Sequence, residues 1–255
     1  METAAKCAHV GNRILSFSVI LLILLMLLYG GYSLWDTAML YQGAFVSKDL
    51  LKFKPASEGE AKLTLSELQA VNEDARGWVT VDDSHIDYPV VQGEDDMEYV
   101  NKDIYGEFSL SGSIFLDNDN SPDFSDQYNL LYGHHMDNGG MFGDIVEFRN
   151  ADFFEKHAAG TLFSPEKTWS IAIFACVETD AFDSMVFNPK NVNDGKQEAL
   201  LDYVREKAVQ YRDIGITAED SVIALSTCAE AETNGRVIVF GRLNETVRAQ
   251  KGGSE

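Results

Sequence analysis

Hydrophobic and polar positions divide the chain into three stretches of different rhythm. From Ile14 to Tyr29 the sequence ILSFSVILLILLMLLY carries no charge and no proline. Extended through Gly30, Gly31, Tyr32, Leu34 and Trp35, it reaches the roughly 20 residues that a helix needs to cross the hydrocarbon of a bilayer. Residues 36–62 are polar and mixed, without a period, and read as a stalk. From about Leu63 the pattern becomes short apolar runs broken by turn residues, which predicts strands. The candidates are Gly77–Val81, Tyr88–Val91, Ser113–Leu116, Asn129–Tyr132, Thr161–Ser164, Ser170–Val177, Ser221–Ser226 and Val237–Leu243.

Helical rhythm is rarer. A short helix is expected near Thr64 or Ser66, with Leu65, Leu68 and Val71 on one face, and another over Met141–Phe148. The clearest covers Gln197–Tyr211, where Leu200, Leu201, Val204, Ala208 and Tyr211 form a stripe opposite the charges. Many short strands with few helices predict a mainly-β barrel or sandwich carrying helices on its outside. The expected organisation is a cytoplasmic N-terminus (1–13), a transmembrane anchor (14–35), a stalk (36–62), one folded domain (63–245) and a tail (246–255). Lys6 and Arg13 before the apolar run place the N-terminus inside, and Tyr32, Trp35 and Tyr41 suit an interfacial belt. A cleaved signal peptide is the competing reading, but no clean A-x-A site follows. The domain is exported in either case.

Charge changes the picture by exclusion. With 41 acidic and 20 basic residues the net charge is −21, the opposite of a nucleic-acid footprint. Three cysteines, Cys7, Cys176 and Cys228, make no disulfide framework. Cys176 sits mid-strand and reads as core. Cys228 ends a strand, Ser221–Cys228, before a polar loop that runs through Ala229, Glu230 and Glu232 to Asn234-Gly235. Arg236 opens the next strand, so a hairpin would bring Cys228 and Arg236 together at its mouth. An unperturbed thiol, with a pKa of about 8.5, needs a base or a positive neighbour to act as a nucleophile. Of the histidines, His9 precedes the apolar segment, and His85 and His157 read as surface residues. His134 and His135 follow the strand Asn129–Tyr132 and Gly133, where a structural and a catalytic role are equally compatible with composition. Asp117-Asn-Asp119-Asn-Ser-Pro-Asp123 alternates oxygens as a calcium loop does, but Pro122 and Tyr128 stand where glycine and a bidentate glutamate belong. It reads as a polar connection, and no metal or cofactor is expected.

Tyr132-Gly-His-His-Met136 with Met141-Phe-Gly-Asp-Ile145 resembles the histidine motif of sortases. Leu225-Ser-Thr-Cys228, with Arg236 eight positions later, is similar to their cysteine and arginine motifs. The order of anchor, histidine, cysteine and arginine agrees, and the helix within 197–211 resembles an insertion of class B members. The likeness spans about Leu63 to Leu243. It implies an eight-stranded sortase-type barrel and a two-step cysteine transpeptidation. Cys228 would attack the threonine carbonyl of a sorting signal near the C-terminus of a secreted protein, giving a thioacyl enzyme. An amine, from a peptidoglycan precursor or a pilin lysine, would then resolve it. In this reading His134, rather than His135, serves as acid then base, and Arg236 steadies the oxyanion. Ala229 N–H is a second donor there, and Ser226 and Thr227 line the substrate. Here Ala229 stands after the cysteine where several class B relatives carry an acidic residue, so no third residue orienting His134 is assigned.

Two other readings compete. An L,D-transpeptidase or other secreted cell-wall cysteine hydrolase would carry its arginine almost adjacent to the cysteine, or its cysteine before its histidine. A non-catalytic anchored binding module would leave the placement of His134, Cys228 and Arg236 at strand ends without a reason.

Overall fold

The computed structural model describes residues 2–41, 43–55, 65–228 and 234–246, the side chains of 2–8, 40 and 228 excepted. Two compact units divide at Gln42 and Gly43. The first is one helix, α1 (Glu2–Tyr41), whose stretch from His9 to Met39 is long and apolar enough to cross a membrane. Its large apolar side chains, from Val10 to Trp35, are exposed.

The second unit is a barrel. Its strands are β1 (Ala75–Val81), β2 (Asp87–Val91), β3 (Ile114–Leu116), β4 (Tyr128–Tyr132), β5 (Ala159–Phe163), β6 (Thr168–Asp180), β7 (Ala208–Tyr211), β8 (Ser221–Cys228) and β9 (Gly235–Thr246). The hydrogen-bonded order is β5-β1-β2-β3-β4-β8-β9-β6-β7, and β5 pairs with β6 as well as β1. That second pairing closes eight strands on themselves, as expected, and leaves β7 as an added edge strand. Closure satisfies the sheet edges that an open sheet would expose. β2–β3 and β4–β8 run parallel; the other pairs are antiparallel.

Alternation along the strands explains the layers. In β8, Ile223 and Leu225 join a core cluster to which all eight barrel strands contribute, while Val222 and Ala224 belong to a second cluster with Leu200, Leu201 and Val204. In β9, Val237 and Val239 take the first side and Ile238 and Phe240 the second. Successive residues of a strand face opposite ways, so these strands are apolar on both faces because both faces are covered. The cover on the second face is α5 (Gln197–Lys207), which follows α4 (Pro189–Asn193).

The helix expected over 197–211 ends four residues early. Ala208 turns extended (φ −60°, ψ 127°), and β7 then pairs with β6. The 3.6-residue stripe is real only through Val204; Tyr211 is exposed, and Ala208 to Tyr211 gain backbone hydrogen bonds from the sheet edge instead. Helix α2 (Leu65–Val71) buries Leu65 and Leu68, but Val71 is exposed. Met141–Phe148 is realised as a 3-10 segment, Gly143–Arg149, ahead of α3 (Ala151–Lys156).

The expected stalk is divided. Residues 36–41 continue α1, whereas Gly43–Phe53 belongs to the barrel unit and buries Ala44 and Leu50. Residues 56–64 lie outside those described. His157, expected at the surface, is buried. It follows α3 directly, stacks on Phe153 at 3.7 Å, and places Nδ1 and Nε2 at 2.8 and 3.1 Å from the carbonyls of Phe153 and Asp83.

Candidate active site

Strands β4, β8 and β9 end side by side. Tyr132 of β4 is level with Ser226 of the parallel strand β8, and Gly133 N–H continues the ladder to the Ser226 carbonyl at 3.1 Å. Two residues further along each chain come His134 and Cys228. On the other side, Cys228 is paired in register with Arg236 of β9. The backbone thus sets residue 228 between the histidine and the arginine. The expected hairpin exists, with Cys228 as the last residue of its first arm.

A groove of about 390 Å³ opens at these strand ends. Its walls include Tyr132, His134, Ser226, Thr227 and Arg236, with Phe187 and Met97 beyond them. Nε2 of His134 lies 2.8 Å from the Val100 carbonyl. A carbonyl only accepts, so Nε2 carries the proton and Nδ1 is the basic nitrogen of the neutral ring. No carboxylate takes that orienting role among the described residues. His135 has a different environment: its Nε2 faces Asp137 at 3.3 Å and it does not line the groove. Arg236 is half-buried and donates from Nη1 to the Gly235 carbonyl at 3.0 Å.

Ser226 and Thr227 are buried, and among the described residues neither hydroxyl has a hydrogen-bond partner. Both residues border the groove at the end of β8. Ala229, with Glu230 and Glu232, lies outside the described residues.

Contacts behind the groove have no signal in the sequence. Tyr132, between Phe115 and Phe187 (ring centroids 5.2 and 6.3 Å), donates its hydroxyl to Asp117 Oδ2 at 2.8 Å. Asp117 is buried, and desolvation pushes its carboxyl up to about 6 despite that hydrogen bond. Asp96 lines the groove and is raised by burial too. The 117–123 loop spends its oxygens on itself: Asp117 Oδ1 accepts from Asp119 N–H, and Asn120 donates to Asp126 and to the Tyr128 carbonyl. Cys176 is fully buried, and desolvation pushes its thiol up to about 12, which suits an inert core residue.

The family model for the sortase domain matches residues 79–244. Sortase B of Listeria monocytogenes is 32% identical over 187 residues, covering 72% of this chain and 76% of the relative. Among solved structures, a Streptococcus pyogenes class B sortase involved in pilus biogenesis is 46% identical, with a TM-score of 0.66 over 70% of this chain and 97% of that one. The substrate complex of Staphylococcus aureus sortase B matches at 28% identity and a TM-score of 0.67, over 72% of this chain and 85% of the other. With its closed eight-stranded barrel and this coverage, the chain belongs to the sortase family and is a class B sortase-like cysteine transpeptidase.

Proposed function

We propose that Cys228 is the nucleophile, His134 the acid and base, and Arg236 the donor to the oxyanion. The carrying observation is the strand register, in which residue 228 pairs with Arg236 and is reached from the other side by the extension of β4 through Gly133 to His134. In the first step Cys228 gives its thiol proton to His134 as the sulfur attacks the threonine carbonyl of a sorting signal, and the amide C–N bond breaks as His134 passes that proton to the leaving amine. In the second, an incoming amine loses its proton to His134 and displaces the sulfur. Arg236, and the N–H of Ala229, stabilise the negative oxygen of each tetrahedral intermediate. Ser226 and Thr227, which line the groove, meet the bound peptide. No cofactor takes part.

The 46% identity to an enzyme of pilus biogenesis, against 28–33% for several other class B structures, favours a pilin lysine over a peptidoglycan precursor as the acceptor. Orientation follows from Lys6 and Arg13 before the apolar run: N-terminus inside, barrel outside. The experiment is turnover of threonine-containing sorting peptides by the full chain with two competing acceptors, a lysine-bearing pilin peptide and a peptidoglycan stem peptide. Preferred transfer to the pilin peptide is expected. Preferred transfer to the stem peptide overturns the acceptor assignment, and turnover that survives Cys228→Ala overturns the mechanism.

A further inference from the structure

The loop that carries His134 is fastened from behind by the chain just past the membrane helix. Ala44 lies three residues beyond the end of α1 and is fully buried. Its carbonyl accepts from the Tyr88 hydroxyl at 2.8 Å and from Met141 N–H at 3.2 Å. The same Tyr88 oxygen accepts from Met141 N–H at 2.8 Å, so three groups close on one another in the core. Met141 is held at φ 52°, the left-handed region, which a non-glycine residue keeps only where surroundings impose it. Its neighbour Phe142 donates its N–H to the His134 carbonyl at 3.0 Å, and Met141 itself bridges to His135. Gly140 completes the contact: a Cβ there would stand 2.9 Å from the Ala44 oxygen.

We propose that Ala44 and Tyr88 form a positioning clamp, in which the membrane-proximal segment holds Met141 and Phe142 and thereby sets the imidazole of His134. The proposal rests on the reading of His134 as the acid and base. Tyr88 touches no reacting atom in this scheme; it acts through the loop. A consequence is that the first residues of the barrel unit support the histidine loop and are more than a tether.

The test compares Tyr88→Phe, which keeps the ring and removes only the hydroxyl, with Gly140→Ala, which crowds the same carbonyl, in the full chain in detergent. Val192→Ala, in the cluster under α5, serves as a control for general loss of stability. Histidine-selective NMR reads the His134 ring, assigned by its disappearance in His134→Ala. The clamp requires displaced His134 resonances and a shifted His134 titration in both clamp variants and neither in Val192→Ala. With a sorting peptide, kcat should fall about tenfold while KM stays within about twofold, since misplacing a catalytic group acts on the transition state. His134 resonances that match the parent in Tyr88→Phe overturn the clamp. Undiminished turnover in His134→Ala overturns the role of that ring instead, and the NMR comparison still decides the clamp.

Discussion

At the scale of residues, the three proposed catalytic side chains separate by the size of their effect. Cys228→Ala should abolish peptide turnover, and His134→Ala should lower it by about 10²–10⁴. Arg236→Ala should lose about 10²–10³ with an unchanged melting temperature, as for other oxyanion donors. If His135→Ala is the more damaging histidine change, the assignment within Tyr132–Met136 is overturned. Asp117 makes a pH prediction. Its folded value of about 6 lies above the usual 3.8, so between these the native state holds a proton that the unfolded chain has released. The stability it contributes is present at acid pH and lost as pH rises through about 6. Relative to Asp117→Asn, the parent should gain up to about 2–3 kcal/mol between about pH 7 and pH 4 in urea melts; a constant difference would refute this. The meeting of residues 134, 228 and 236 was legible because they sit in short motifs at strand ends that the register brings side by side. The Tyr132–Asp117 and Met141–Tyr88 contacts were not, because their partners are 15 and 53 residues apart in the chain.

At the scale of elements, the strand pattern in the sequence recovered all eight barrel strands, mostly short at their ends. Strands apolar on both faces, such as Ser221–Cys228, still stand out by β-branched content and bounding turns. The miss was Ala208–Tyr211, read as the end of a helix. Its stripe continues the helical period by chance, and the sheet edge of β6 that captures it is visible only in three dimensions. The helix proper holds through Leu200, fully buried beneath it; Leu200→Ala should destabilise by about 2–5 kcal/mol in denaturant melts and leave KM unchanged. Gly133 joins β4 to His134, and a Cβ there would stand 2.4 Å from Ile114 Cδ1 and 2.7 Å from Phe142 Cγ. Gly133→Ala should therefore cost about 1–3 kcal/mol of stability and reduce kcat as well, because the crowding falls on the histidine loop.

At the scale of the whole molecule, an apolar run in the sequence announced the membrane-length helix, while the closing of the barrel did not follow from any local pattern. Closure comes from β5, which pairs with its neighbour β6 across the Ser164–Lys167 turn and, on its other edge, with the distant strand β1, a pairing that no local pattern announces. The division of the stalk was likewise hidden, since Ala44 and Leu50 are isolated apolar residues in a polar stretch. The claim on which the functional account stands is capture of an acyl group by one sulfur among three. It is tested most directly by quenching the full chain with a threonine-containing sorting peptide in acid and mapping the adduct by mass spectrometry. The expected result is a mass gain of the N-terminal peptide fragment on the segment holding Cys228, removed by added amine. The same gain on Cys7 or Cys176, or peptide cleavage with no adduct in Cys228→Ala, would contradict it.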